Sequence, residues 1–156
     1  MRTIITILLL VALGFGCKSG SSLTKEETSA LMNEKIESSD YTFVAQTAIP
    51  MGGKSVNLNY LYSLKVSKDT VSAYLPYYGR AYTAPMPSED GGIKFTSANF
   101  DYTVSEKKKG MRDVTIKTKD TQRRYDLILS IGDSGYATLS VNESNRQPIT
   151  FYGKIE

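Results

Sequence analysis

The sequence predicts a mostly β protein, in which an antiparallel meander of about eight or nine short strands forms a barrel or an open clam. From Tyr41 onward, apolar and polar residues alternate with a period of two, as in strands with one buried face. Turn-forming residues interrupt this alternation about every 8–12 residues, which is the spacing of antiparallel hairpins. Only one segment has helical periodicity, and parallel strands would need several crossover helices. A two-sheet sandwich is the alternative architecture.

One helix is predicted over residues 24–38, ahead of the first strand. Thr24 and Glu27 fit a capping box, in which each side chain accepts a hydrogen bond from the backbone of the other residue. Met32 and Ile36 lie four residues apart and form a narrow apolar stripe. We expect this stripe to lie against the sheet or to close one end of it.

The strands are predicted from residues that share one face. In the hairpin before the tyrosine-rich segment, Leu75 is expected to face inward and Tyr74 outward. Ile128 indicates partial burial of both faces of its strand. Two further strands are expected at 93–97 and 100–104. The residues grouped on the predicted strands are Tyr41, Phe43 and Ala45; Tyr60, Tyr62, Leu64 and Val66; Val71, Ala73 and Leu75; Val114 and Ile116; Tyr125, Leu127, Leu129 and Ile131; Ala137, Leu139 and Val141; and Ile149, Phe151, Gly153 and Ile155.

Residues 1–16 resemble a bacterial lipoprotein signal peptide. Their apolar segment is too short to cross a membrane as a helix but has the length found in secretory signals. Cys17 follows directly and is the predicted lipidation site, and residues 17–23 form a polar tether. The match is incomplete, since Gly14 stands where such signals usually carry a leucine and Leu13 comes one residue earlier. A secreted protein with an incidental cysteine is the alternative.

The location that follows is the bacterial cell envelope, with an acyl group on Cys17 holding the protein to the membrane. No acidic residue follows the cysteine within residues 18–22, and this favours a periplasm-facing position on the outer membrane. Residues 24–156 are expected to form a single β domain together with its helix.

The composition argues against several functions. The chain has no histidine and one cysteine, which removes the commonest general base, the commonest metal ligand and any intramolecular disulfide. The formal net charge of +3 is too small to favour nucleic acid as a partner. The sequence therefore predicts a protein that is not an enzyme and holds no metal or cofactor.

A candidate binding surface lies in the tyrosine-rich segment of residues 74–87. Tyr77, Tyr78, Arg80 and Tyr82 combine rigid amphipathic rings with a guanidinium group, which is typical of recognition surfaces. In the alternative interpretation, the segment folds over one end of the barrel and its rings only cover the core.

The chain resembles an uncharacterised family of small lipoproteins from Bacteroidetes-type bacteria, a domain of unknown function. The resemblance rests on five motifs and covers about residues 40–156. It implies an all-β envelope lipoprotein and assigns no activity, and it marks Arg146 as a further candidate binding residue. The motifs are Tyr60-Leu61-Tyr62-Ser63-Leu64, Ala73-Tyr74-Leu75-Pro76-Tyr77-Tyr78-Gly79-Arg80-Ala81-Tyr82, Gly91-Gly92-Ile93-Lys94-Phe95, Gly135-Tyr136-Ala137-Thr138-Leu139 and Asn145-Arg146-Gln147.

Two functions remain open at this point. The first is a non-catalytic module that binds a ligand or an envelope protein through the tyrosine and arginine loop. The second is a structural protein that docks onto a larger envelope complex through a strand edge or a face of the barrel.

Overall fold

A computed structural model describes residues 23–82, 91–107 and 110–156. In this part of the chain, one helix precedes nine antiparallel strands that form a single, nearly closed barrel-like sheet. The predicted barrel is therefore confirmed, and the two-sheet sandwich is not what forms. The elements are α1 (Lys25–Ser38), β1 (Tyr41–Pro50), β2 (Val56–Val66), β3 (Val71–Leu75), β4 (Ile93–Ser97), β5 (Phe100–Lys107), β6 (Met111–Thr118), β7 (Tyr125–Gly132), β8 (Tyr136–Glu143) and β9 (Arg146–Ile155).

The sheet consists of two meanders joined by the first and last strands. Its spatial order is β4-β3-β2-β1-β9-β8-β7-β6-β5, and every neighbouring pair is antiparallel. Because the number of strands is odd, the edge strands β4 and β5 run in the same direction. Two residues connect them, which is too few for a parallel crossover. The chain therefore passes from one edge of the sheet to the other through a corner.

Asp120 fixes this corner between β4 and β5. Its carboxylate accepts hydrogen bonds from the Ser97 hydroxyl and from the backbone N–H groups of Ala98 (2.8 Å) and Asn99 (3.1 Å). These donors, the Ser97 hydroxyl first, lower the pKa of Asp120 below that of a free carboxyl group. The corner is thereby attached to the loop that follows β6.

The inward faces of the strands build the core, as the alternation predicted. Phe43, Leu64, Leu129 and Phe151 are fully buried, and Leu75 ends β3 pointing inward. Gly153 allows β9 to approach β1 closely, since a Cβ atom there would clash with the Val44 carbonyl and the Phe43 ring. Burial of these side chains is the main source of stability for such a fold.

Two expectations about strand faces are wrong. Tyr60 does not continue the buried face of Leu64, because it is 65% exposed, whereas Tyr62 is half-buried and packs against the core as expected. The register between β1 and β2 shifts, so four residues of β2 stand opposite one of β1, and Tyr60 lies within this bulge. Ile128 is also exposed rather than partly buried, because the outer face of β7 has no layer packed on it.

Helix α1 begins at the predicted capping box. Glu27 donates its N–H to the Thr24 hydroxyl, and Thr24 donates its N–H to the Glu27 carboxylate at 2.8 Å. Met32 and Ile36 are the buried residues of the helix, as predicted. Within the described ranges, no helix has the length and apolar character required to cross a membrane.

Helix α1 covers one end of the barrel, which we call the helix end. Ser29 donates a hydrogen bond to Asp133 in the β7–β8 turn, and the Met32 sulfur lies beside Gly135. Tyr102 on β5 donates its hydroxyl to the Ile36 carbonyl at 2.9 Å. The opposite end of the barrel carries the β8–β9 turn and the exit of β3.

Candidate functional site

Residues 76–82, which we call the strap, leave β3 and cross to the β8–β9 turn. Three backbone N–H groups join the two segments. Tyr82 donates to the Asn145 carbonyl at 2.9 Å, Gln147 donates to the Arg80 carbonyl at 3.0 Å, and Arg80 donates to the Gln147 side chain at 3.3 Å. The strap is therefore tied to the end of the barrel opposite α1, which we call the strap end.

Tyr77 connects the strap to the β8–β9 turn through its hydroxyl group. Its hydroxyl lies 2.9 Å from the Arg80 carbonyl and 3.0 Å from the Gln147 carbonyl, so its proton is directed between two acceptors. Burial is the main reason why the pKa of Tyr77 is raised above that of a free tyrosine. The Arg146 guanidinium lies over the ring at 4.9 Å, within the range of a cation–π contact.

Arg146 lies beneath the strap and is almost completely buried. Its Nη1 donates to the carbonyls of Gly91 (2.7 Å) and Gly92 (3.2 Å), which precede β4. Its Nε lies 3.5 Å from a carboxylate oxygen of Glu143. One side chain therefore holds the strap, the start of β4 and the β8–β9 turn together.

The charge of Arg146 is balanced within a buried cluster. Glu143 is 3% exposed at its side chain, and its second oxygen lies 3.4 Å from Nε of Arg123. The ring of Tyr125 stacks on Phe95 at 4.4 Å and continues the cluster toward the core. Burial, followed by the negative charge of Glu143, raises the pKa of Tyr125.

The structure divides the predicted binding residues into two groups. Tyr77 and Arg146 are buried or half-buried, and their polar atoms are occupied by partners within the chain. Tyr78 and Tyr82 are 46% and 64% exposed, and the Arg80 side chain is exposed as well. Only this second group presents side chains to a partner. The predicted lipidation site, Cys17, lies outside the described residues.

Sequence reasoning did not single out Glu143 and Arg123. Glu143 and Arg146 flank a two-residue turn, and this spacing was the available signal for an ion pair. Arg123 lies in the separate β6–β7 loop, and no local pattern connects it with Glu143. Among the described residues, no group of three or more His, Cys, Asp or Glu side chains is placed to hold a metal ion.

A second group of tyrosines, which we call the aromatic platform, consists of the exposed Tyr60 and Tyr74 and of Tyr62, which is half-buried and packs against the core. The Tyr62 and Tyr74 rings stack at 5.5 Å, and the Tyr60 ring lies 5.5 Å from Tyr62 and 6.1 Å from Tyr74. The Lys94 ammonium group lies over the Tyr74 ring at 4.6 Å. The sequence had placed Tyr60 and Tyr62 on one face with Leu64, which holds for Tyr62 but not for Tyr60, so the contact of both rings with Tyr74 was missed.

Comparisons with known proteins agree on a family. Residues 24–155 match the family model described as DUF4251, a domain of unknown function. The crystal structure of a DUF4251 family protein from Bacteroides eggerthii is similar, with a TM-score of 0.61 and 14% sequence identity over 82% of this chain and 86% of that chain. At this identity the likeness shows the fold alone.

A search of the curated proteins finds no match. The predicted resemblance to an uncharacterised Bacteroidetes-type family is confirmed by the family model and by the solved structure. On the match across its helix and all nine strands, this chain belongs to the DUF4251 family.

Proposed function

We propose that the protein is a lipid-anchored component of the bacterial envelope that binds a partner, without catalysis, through the outer side of the strap. One observation carries the proposal: the strap is bonded firmly to the barrel, yet Tyr78, Arg80 and Tyr82 point outward. A segment fixed before binding loses little conformational entropy when a partner arrives. Tyrosine and arginine are also the side chains that contribute most at binding interfaces.

The position of the strap supports this role. The predicted tether leads into α1, which covers the helix end of the barrel. The strap lies at the other end, beyond strands such as β8 (Tyr136–Glu143), which measures roughly 25 Å at the usual rise per residue. A protein anchored through Cys17 would hold the strap away from the membrane surface, where a partner can reach it.

Photo-crosslinking in cells tests the strap. A photoreactive phenylalanine analogue at Tyr78 or Tyr82 is expected to give one discrete adduct with a partner. Tyr136 and Tyr152 are matched controls, since both are tyrosines of similar exposure on the barrel wall. Equal crosslinking at all four positions, or none at the strap, would contradict the proposal.

The anchor requires its own test. Metabolic labelling with an alkyne fatty acid is expected to label the wild-type protein and to leave Cys17→Ala unlabelled. Equal labelling of both proteins would remove Cys17 as the lipidation site. The strap proposal would survive that result, since its evidence does not depend on the anchor.

Docking through a strand edge is the second candidate, and one observation favours it. Residues 103–107 of β5 are all exposed, and in the described part of the chain this strand pairs only with β6. Such an edge offers backbone groups to an added strand. Photoreactive residues at Thr103 and Ser105 are expected to crosslink if docking occurs here, and adducts confined to the strap would exclude it.

A further inference from the structure

We propose that the partner of the strap is a protein with an extended acidic segment, which pairs with the backbone of Ala81 and places a carboxylate beside Arg80. The inference rests on the proposed function, because it concerns the same surface, and it names the chemistry of the partner. Two features of the strap carry it. One is an unpaired backbone edge, and the other is an exposed arginine with no carboxylate beside it.

The backbone edge lies at Ala81, which stands opposite Arg146 in an antiparallel β-bridge. The hydrogen bonds of this bridge use the Arg80 carbonyl and the Tyr82 N–H. In an antiparallel pair of this type, the N–H and C=O of the central residue point away from its partner. Ala81 is exposed, and neither of these two groups has a hydrogen-bond partner within the described part of the chain. Such an edge can pair with an added extended chain.

The side chains of Arg80 and Tyr82 lie on one face beside this edge, because successive residues of an extended chain point in opposite directions. Both side chains are exposed, whereas Arg146 is buried on the other face, beneath the strap. A segment that pairs with Ala81 also alternates. The residues before and after its paired residue therefore meet the arginine and the tyrosine with their side chains.

Arg80 determines the charge that the incoming segment carries. Its backbone N–H is bonded to Gln147, but its guanidinium makes no ion pair or hydrogen bond with the residues that the structure describes. Residues 76–82 of the strap and 144–147 of the turn include no carboxylate, and Glu143 is 3% exposed and already paired. A guanidinium group binds a carboxylate through two parallel hydrogen bonds. Aspartate or glutamate is therefore favoured opposite Arg80.

An extended peptide fits this surface better than an acidic saccharide. Its backbone supplies one donor and one acceptor at the spacing that Ala81 offers, and its side chains then fall on Arg80 and Tyr82. A saccharide can meet the guanidinium group but has no backbone with this repeat. Binding of a saccharide is therefore an outcome that the experiments below separate.

Selection from a random heptapeptide library tests the proposal on the full-length chain in detergent. The bound peptides are expected to share aspartate or glutamate at one position, among residues that favour strands. Selection on Arg80→Glu should replace the acid by lysine or arginine. Arg124→Glu is the matched control, an exposed arginine in the β6–β7 loop, and should retain the acid. Failure to enrich an acidic position, or an unchanged preference in Arg80→Glu, overturns the proposal.

An N-methyl scan of an enriched peptide tests the backbone pairing. Methylation of the amide that meets the Ala81 carbonyl should weaken binding about tenfold, because one hydrogen bond is lost. This amide belongs to a residue next to the acid in the peptide. Equal binding of all methylated peptides, or equal weakening at every position, overturns the pairing with Ala81.

Glu89 and Asp90 are acidic residues that follow the strap in the chain and lie outside the described residues. The double variant Glu89→Gln/Asp90→Asn should bind the enriched peptide at least as tightly as the wild type, because it removes negative charge that repels an acidic ligand. Weaker binding in this variant contradicts an acidic partner.

The photo-crosslinked adducts of Tyr78 and Tyr82 separate this inference from the proposed function. Mass spectrometry of the adduct is expected to identify a partner segment that contains an acidic residue. An adduct with a saccharide, or with a protein segment that lacks acidic residues, overturns the inference and leaves the strap as a binding surface. The absence of any adduct at the strap overturns both.

Discussion

At the scale of single residues, the strap end of the barrel depends on Arg146. A planar guanidinium can donate in several directions at once, and here it serves two glycine carbonyls, the Glu143 carboxylate and the Tyr77 ring. A lysine offers one compact ammonium group and cannot reach all of these partners. The exposed Arg80, by contrast, has a solvated side chain.

We predict that Arg146→Ala lowers the free energy of unfolding by about 3 kcal/mol, because it removes one partner of a buried ion pair. Arg146→Lys should recover only part of this loss. Urea unfolding measures both values. Arg80→Ala is the matched control and should change the stability by less than about 0.5 kcal/mol. An equal loss in Arg80→Ala would contradict the role assigned to Arg146.

Tyr77→Phe tests the hydroxyl of the strap without removing the ring. The free energy of unfolding should fall by about 1 kcal/mol, because removing the hydroxyl leaves two carbonyl groups without its hydrogen bond. Hydrogen exchange should accelerate at the amides of Tyr82 and Gln147, which hold the strap to the β8–β9 turn. Unchanged exchange at these amides would mean that Tyr77 does not hold the strap.

Sequence motifs identified these residues but not their roles. The tyrosine segment and Arg146 both stood out, yet alternation within one strand cannot tell which distant turn a side chain will meet. Arg146 therefore counted as a binding candidate, although the fold buries it beneath the strap. The outward direction of Tyr74 was predictable, since its neighbour Leu75 is apolar and faces the core.

At the scale of elements, the corner between β4 and β5 is the least regular connection. The chain must change from one edge of the sheet to the other within two residues, and its backbone N–H groups cannot pair within a ladder there. The Asp120 carboxylate replaces that pairing. The strands themselves followed from alternation, whereas the β2 bulge did not, because a change of register leaves no mark in a single strand's sequence.

Asp120→Asn should make the protein less stable at neutral pH. It should also make the stability depend less on pH in the acid range. The pKa of Asp120 is lowered in the folded state, so its contribution is complete above the ordinary carboxyl pKa of about 4. The contribution disappears as the pH falls through the lower folded-state pKa. Thermal unfolding of both proteins from pH 7 to pH 2 should show their stabilities converging, and parallel curves would argue against this.

Gly153→Ala tests the close approach of β9 to β1. A Cβ atom would meet the Val44 carbonyl and the Phe43 ring, so the backbone must shift at a cost of about 1–3 kcal/mol. Gly132→Ala is the matched control, because its Cβ would lie 3.6 Å from the nearest atom, an ordinary contact. Chemical denaturation distinguishes the two variants. Similar losses of stability in both variants would indicate that replacing glycine in a strand, and not the close approach of β9 to β1, is the cause.

At the scale of the whole molecule, each end of the barrel is closed by hydrogen-bonded tyrosines. Tyr102 and Tyr41 meet beneath α1, and Tyr77 and Tyr125 lie at the strap end. Burial raises the pKa of all four above that of tyrosine in an unfolded chain. The overall architecture was predictable because it repeats one simple pattern. The closure of the ends was not, since it depends on contacts between distant loops.

The four tyrosines predict an alkaline limit to stability. Unfolded tyrosines ionise near pH 10, while these groups resist ionisation when folded, so their contribution is complete below about pH 10 and is lost above it. Absorbance at 295 nm should rise in two phases. The later phase should coincide with loss of the β-sheet signal in circular dichroism. A single phase that precedes unfolding would show that none of the four is protected.

The pairing of β1 with β9 decides when this chain can fold. The first strand pairs with β2 on one side and with the last strand on the other, where Phe43 lies opposite Ile155 and Thr42 exchanges backbone hydrogen bonds with Glu156. Each meander can form from local hairpins, but the contact that unites them spans almost the entire domain. The barrel therefore cannot close during synthesis until its final residues have appeared. Removing residues 149–156 would deprive β1 of the strand that holds both halves together.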